Sequence, residues 1–264
     1  MMSEALAGKC ALITGSVQGL GLGAAERFAA AGCHVVLNGF ASPGQIATIR
    51  TRIEEQHHVR TLYCGADLRN PDEIARMVSA ASEAFGAIDI LVNNAVVRHA
   101  APVEEFPVES WDEAIAVNLS AAFHTIRLAV PGMKQRNWGR IINVSSIYGL
   151  RGTPNRIGYV TTKTALIGMT RAVALETLGH HITCNAVCPG TAETPVHDGT
   201  IQEMIARDGL SRADAERRFL TGKQPTGRFI GAEHVAALMI FLCGGDSGDI
   251  TGAVLPIDGG WSAA

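Results

Sequence analysis

Seven short runs of apolar and β-branched residues, separated by longer segments of helical period, constrain this 264-residue chain more than any other feature. The runs fall at 10–14, 34–38, 60–64, 88–93, 140–145, 182–187 and 253–257. Parallel strands cannot be joined by a tight turn and need a crossover, usually helical. Segments 19–31, 44–57, 71–85, 109–136, 155–178 and 232–243 carry that helical period and end near Gly, Pro or a polar break. The alternation predicts an α/β fold: a doubly wound parallel sheet of seven strands with helices on both faces.

No Pro- or Ser-rich linker, low-complexity tract or short repeat divides the chain, so residues 1–264 are expected to form one domain. Segment 190–225 differs in texture, being polar and rich in Arg and Glu. It follows the sixth strand, where strand carboxyl ends frame a ligand crevice. It reads as a helical lid inserted in the domain, or else as a solvated excursion.

Composition narrows the function classes. Only 18% of residues are charged and 47% are hydrophobic, against about 25% charged in an average domain, so much surface is expected to be buried in a core or against other subunits of a homo-oligomer. A net charge of −3 without any block of like charges argues against nucleic acid as the main partner. The longest apolar runs are about eight residues, well short of the roughly 20 that span a bilayer, so no membrane is expected. The first nine residues, MMSEALAGK, lack the apolar stretch of a secretory signal, and the six cysteines show no CxxC spacing. A cytoplasmic protein with reduced thiols is expected.

After the first strand comes Thr14-Gly15-Ser16-Val17-Gln18-Gly19-Leu20-Gly21, at the end of which a helix opens. Small residues let backbone approach a pyrophosphate, and the helix start offers unpaired N–H groups and partial positive charge. An acid at the end of the second strand normally holds the adenosine ribose, yet here stands Asn38-Gly39-Phe40. No Arg or Lys lies in the loop or just after that strand to meet a 2′-phosphate, so NAD is expected rather than NADP. Asp67, after the third strand, suits the adenine amine or a helix cap before Pro71.

Tyr159 and Lys163 stand four apart in a helical segment and so share one face. An ammonium beside a phenol favours the phenolate and makes a tuned acid/base. Ser146, at the end of the fifth strand, can meet the same carbonyl oxygen, and Asn118 can anchor a water chain to the lysine. No HExxH or compact acid cluster points to a catalytic metal. Ser146 has no nucleophile-elbow partner, which weighs against a hydrolase.

These residues carry a resemblance to the short-chain dehydrogenase/reductase family over nearly the whole chain: TGSVQGLG at Thr14, NNAV at Asn93, NVSS at Asn143, YVTTK at Tyr159 and CPG at Cys188 occur in the family's order. The resemblance implies a Rossmann-type fold, a homotetramer, Tyr159 as acid/base, Lys163 on the ribose and tuning the phenol, Ser146 on the substrate oxygen and Asn118 in the proton relay. It implies a dinucleotide site of Gly15, Ser16, Gln18, Gly19, Leu20, Phe40, Asp67, Leu68, Asn94, Tyr159, Lys163, Pro189 and Gly190. Val96 departs from the family's usual Gly after NNA, which bears on the local backbone.

Within the family the chain is most similar to bacterial D-3-hydroxybutyrate dehydrogenases, in Leu37-Asn38-Gly39-Phe40, Asn118-Leu119-Ser120-Ala121, Lys223-Gln224-Pro225 and Asp258-Gly259-Gly260-Trp261. Where that resemblance leads one to expect Gln, His, Lys, Trp and Gln around the hydroxybutyrate, this chain has Arg98, Tyr148, Arg156, Thr191 and Thr200, while Trp261 and His99 remain. Arg grips a carboxylate with a planar fork that Lys lacks. Arg98 and Arg156 thus read as an anion clamp, or else as surface arginines covering apolar area. Tyr148 reads as a second hydroxyl or a wall, and Thr191 enlarges the site for a bulkier or more highly charged hydroxy acid. The expected function is an NAD-dependent exchange between secondary alcohol and ketone on a small anionic substrate. The alternatives are an NADPH-dependent ketoreductase of the 3-oxoacyl type and a non-catalytic dinucleotide sensor.

Overall fold

The structure is a computed structural model that describes residues 6–193 and 195–264. Its strands are β1 (Cys10–Ile13), β2 (His34–Asn38), β3 (Thr61–Cys64), β4 (Ile90–Asn93), β5 (Gly139–Val144), β6 (Ile182–Pro189) and β7 (Val254–Ile257). They form one sheet in the order β3-β2-β1-β4-β5-β6-β7, and every neighbouring pair is parallel. The chain winds outward from β1 to β3, then returns to lay β4 beside β1 and winds the other way. That reversal opens a crevice beyond the carboxyl ends of β1 and β4.

The helices are α1 (Gly19–Ala30), α2 (Pro43–His57), α3 (Pro71–Phe85), α4 (Val108–Ile115), α5 (Ala121–Gln135), α6 (Ile157–Glu176), α7 (Pro195–Asp208), α8 (Arg212–Leu220) and α9 (Ala232–Cys243). Side chains of a strand alternate between faces, and the core divides accordingly. Ala11 and Ile13 pack with Phe28 of α1 and Met239 of α9 on one face. Cys10 and Leu12 pack with Met77 of α3 and Met133 of α5 on the other. Because both faces are covered, β1, β4, β5 and β6 are buried throughout.

Two departures from the sequence reading concern the site. The expected helix 109–136 runs on from Val108 to Gln135, but it takes a π turn at Ala116–Ser120, which carries Asn118. Helix α6 begins at Ile157 rather than two residues earlier, because Asn155 is left-handed (φ 60°) and Arg156 at the N-cap is not helical (φ −134°, ψ 33°). Residues 108–135 are apolar and long enough by composition to cross a bilayer. In the fold, α5 packs against α3 and α4 against α6. Segment 190–225 holds α7 and α8, which pack on each other.

Candidate active site

The loop after β1 is shaped for close approach. Gly15 is left-handed (φ +63°), and a Cβ there would stand 2.8 Å from the Ala95 Cα; a Cβ on Gly21 would collide with the Gly15 carbonyl. Asn94 fastens the loop, its Nδ2 donating to the carbonyls of Thr14 and Gly15, each at 3.0 Å. Gln18, the N-cap of α1, gives no side-chain cap, which leaves first-turn N–H groups for an anion. Gly15, Gln18, Gly19 and Leu20 line the cleft. Ser16 does not line it: its hydroxyl is buried, donating to the Ile13 carbonyl at 2.7 Å and accepting from the Asn38 N–H at 3.0 Å. It supports the loop from beneath.

Asn38 explains the missing acid at the end of β2. Its Oδ1 accepts from the Gly15 N–H (3.3 Å) while its Nδ2 donates to the carbonyls of Cys64 and Ala66 (3.1 and 3.0 Å). A carboxylate would have no protons for those carbonyls. Phe40, 71% exposed, stands on the rim of the cleft with Asp67 and Leu68. The helix cap before Pro71 is Asn70, which accepts from the Asp72 N–H, so Asp67 has no capping role.

Sequence reasoning found no cation at this end, and the structure brings one. Arg69 lines the same cleft, donating to Asp67 from Nε (3.0 Å) and Nη2 (2.6 Å), with Glu113 3.7 Å away. The guanidinium holds the Asp67 carboxyl below its ordinary pKa. The signal was an arginine two residues after Asp67, just past the third strand rather than the second. Glu113 also meets His99 Nε2 at 2.9 Å.

At the other end, Ser146 follows β5 and caps the 3-10 turn Ile147–Gly149, its Oγ accepting from the Tyr148 N–H at 3.1 Å. Tyr159 and Lys163 lie one turn apart on α6. Lys163 is buried, its Nζ donating to the Val144 carbonyl at 2.6 Å and standing 5.7 Å from the Tyr159 ring centre. Burial, and then repulsion from Arg98, lowers its pKa to about 7. Asn118 sits in the π turn with its Oδ1 accepting from the Val97 N–H (2.8 Å) and its Nδ2 donating to the Val97 carbonyl (3.0 Å). The amide thus fastens the loop after β4, and among the described residues no hydrogen bond joins it to Lys163. Asn93 and Asn143 are structural. Thr125 donates to Asn93 (2.7 Å), Asn93 to Asn143 (2.9 Å) and Asn143 to Thr170 (2.9 Å), a buried polar chain across the sheet.

A cavity of about 430 Å³ opens beside Ser146 and Tyr159. Tyr148, Thr191, Thr200, Trp261, Pro189 and Gly190 line it, as do Arg98 and Arg156. Tyr148 forms a wall, its ring edge-on to Tyr159 (6.4 Å) and to Trp261 (5.4 Å). The Arg98 guanidinium carbon is 5.6 Å from the Tyr159 ring centre, and Arg156 reaches toward the His99 carbonyl at 3.5 Å. Segment 190–225 further contributes Ala192, Phe219, Lys223, noted in the sequence only for its likeness, and His197, which carried no sequence signal. Among the described residues no Asp or Glu lines this cavity. Val96 lines both clefts together with Leu20, Asn94 and Arg98. It is not among the left-handed residues, so valine fits where the resemblance leads one to expect glycine.

The model of the short chain dehydrogenase family matches residues 9–204. The chain is 43% identical to a D-beta-hydroxybutyrate dehydrogenase of Rhizobium meliloti over 97% of its own length and 99% of the relative's. It is 42% identical to one of Cupriavidus necator, over 98% and 99%. This chain is a short-chain dehydrogenase. The solved L-sorbose reductase of Gluconobacter frateurii, complexed with NADPH and L-sorbose, superposes with a TM-score of 0.93 at 30% identity, covering 100% of both chains.

As a short-chain dehydrogenase it is an NAD(P)-dependent oxidoreductase acting on a CH–OH group, with a small hydroxy or keto compound as substrate. The residues present fit a dinucleotide: Gly15, Gln18, Gly19 and Leu20 line the cleft, the glycines at 15 and 21 let the loop and helix start pack closely, and the space beside Gly19 is open.

Proposed function

We propose that this short-chain dehydrogenase interconverts a secondary alcohol and a ketone on a small anionic hydroxy acid, with NAD preferred to NADP. One observation carries the anionic part: Arg98, Arg156 and Lys223 line the cavity, and among the described residues none of them is in an ion pair and no acid lines the cavity with them. Unpaired cations in a concave site concentrate a substrate anion. The curated relatives, named for D-beta-hydroxybutyrate, agree with a hydroxy acid.

Tyr159 holds or accepts the hydroxyl proton at its phenol oxygen, and Ser146 donates a hydrogen bond to the developing alkoxide. The buried Lys163, when protonated, favours the phenolate. Asn118 keeps the loop after β4 in register with the π turn. A bound nicotinamide dinucleotide supplies the hydride acceptor or donor. Arg98 and Arg156 hold the acid group, Tyr148 and Trp261 wall the site, and Thr191 leaves room for a substrate larger than 3-hydroxybutyrate.

NAD is supported by the state of Arg69: with Asp67 and Glu113 beside it, the cation offers little to a 2′-phosphate. The ketoreductase alternative would need such a cation unpaired. Residues 1–264 act as one domain with 190–225 as its lid. Exposed Phe123, Leu175 and Leu178 on and beside α5 and α6 support an interface between copies of this chain, in keeping with a tetramer. The test is Arg156→Ala: the KM for hydroxy acids should rise about tenfold to hundredfold, the weight of a charge-assisted hydrogen bond, and that for neutral alcohols much less. An unchanged preference for acids would remove the clamp.

A further inference from the structure

The cavity holds more positive charge than one carboxylate neutralises. Arg98 comes from the segment after β4, Arg156 from the start of α6, and Lys223 from the turn after α8. Lys163, already assigned to the phenol, adds a fourth basic group.

Lys223 is held in place. Its Nζ lies 3.8 Å from the Phe219 ring centre, and Phe219 stacks on Phe229 at 5.9 Å and packs against His197 at 5.3 Å. The next residue, Gln224, is buried and accepts from the Thr191 N–H while donating to the Arg228 carbonyl. The turn carrying Lys223 is therefore tied to the segment just beyond β6. Partial burial pushes the Lys223 pKa down. His197 is likewise lowered, first by burial and then by Arg98, Lys223 and Arg156, which places all three cations about one region. Gathering unpaired cations costs repulsion and desolvation that a single negative charge offsets only in part.

We propose that the substrate is a secondary alcohol bearing two anionic groups, one held by Arg156 with Arg98 and the second by Lys223 on the lid turn. This rests on the anionic hydroxy-acid reading above and extends it to a subsite contributed by segment 190–225. The second group is a carboxylate or a phosphate, either of which an ammonium binds as a point charge.

The test compares 3-hydroxyglutarate, which is symmetrical and has no enantiomers, with 3-hydroxyhexanoate, which replaces its second carboxylate by an ethyl group of similar size. The neutral methyl ester of 3-hydroxyhexanoate and 3-hydroxy-4-phosphonooxybutyrate run beside them. The expected kcat/KM ratio of dianion to monoanion is about tenfold or more, the lower weight of one charge-assisted contact. Lys223→Met should bring that ratio close to unity, and Lys223→Arg should restore it. Because each ratio is taken within one protein, a loss of folded enzyme cancels. The better of 3-hydroxyglutarate and 3-hydroxy-4-phosphonooxybutyrate identifies the second group as carboxylate or phosphate. A parent ratio at or below unity, or a ratio unmoved by Lys223→Met, overturns the second subsite while leaving the anionic reading intact. Equal use of 3-hydroxyhexanoate and its methyl ester fails that reading instead.

Discussion

The two ends of the crevice hold similar charged residues in opposite states. At the adenosine end Arg69 lies between Asp67 and Glu113, and its charge is spent on the protein. At the substrate end Arg98, Arg156 and Lys223 face a cavity that no acid lines among the described residues. The difference separates a cation that shapes a site from cations that await a ligand. Glu113 lines the adenosine end, where it pairs with Arg69 and with His99, and the His99 carbonyl receives Arg156 of the substrate end.

The largest expected effect tests the chemistry that the comparison brackets. Tyr159→Phe should keep dinucleotide binding, read by nicotinamide fluorescence, and lower kcat by about 10²–10⁴-fold, the usual weight of an acid/base group. Residual turnover within tenfold of the parent would take Tyr159 out of its role.

Next comes the scaffold of the adenosine end. Asn38→Asp should destabilise the protein by about 1–3 kcal/mol, because the carbonyls of Cys64 and Ala66 lose their donor. An unchanged melting temperature would mean that the buried asparagine is dispensable and that the missing acid needs another explanation.

Converting one end toward the other is a smaller change. Asp67→Asn with Glu113→Gln leaves Arg69 without carboxylates, and the ratio of NADP to NAD efficiency should rise about tenfold, one charge-assisted contact. If the ratio does not move, the pairing of Arg69 is not what favours NAD.

The effect specific to one buried charge is electrostatic. Burial lowers the Lys163 pKa from 10.5 to about 7. Between those values the unfolded chain binds a proton that the folded chain has released, so stability rises with pH. Relative to Lys163→Met, the parent should gain stability from pH 6 to pH 9 in urea titrations, by at most about 1.4 kcal/mol per pH unit above 7. A parallel pH dependence in the two proteins would place the lysine pKa near its ordinary value.

The sheet was legible because parallel strands read as short apolar runs, and all seven lie within two residues of their expected bounds. The π turn was not, since it depends on the Asn118 amide meeting Val97, a contact 21 residues distant. Tyr159 and Lys163 could be paired from their spacing on one helix. Ser16 was misleading, because a loop sequence does not say which side chain turns inward. Lys223 and His197 reach the crevice through tertiary packing, and no local spacing announces that. Whether a cation is paired is a property of the fold: Arg69 and Arg98 look alike in the chain and differ only in what stands beside them.

The central claim is that the substrate end recognises negative charge, and the direct measurement is the kcat/KM of the parent enzyme for 3-hydroxyhexanoate against its methyl ester, at fixed ionic strength with NAD. The account predicts that the acid is favoured by about tenfold or more, with the advantage shrinking as salt is raised. Equal efficiency for the two would contradict it.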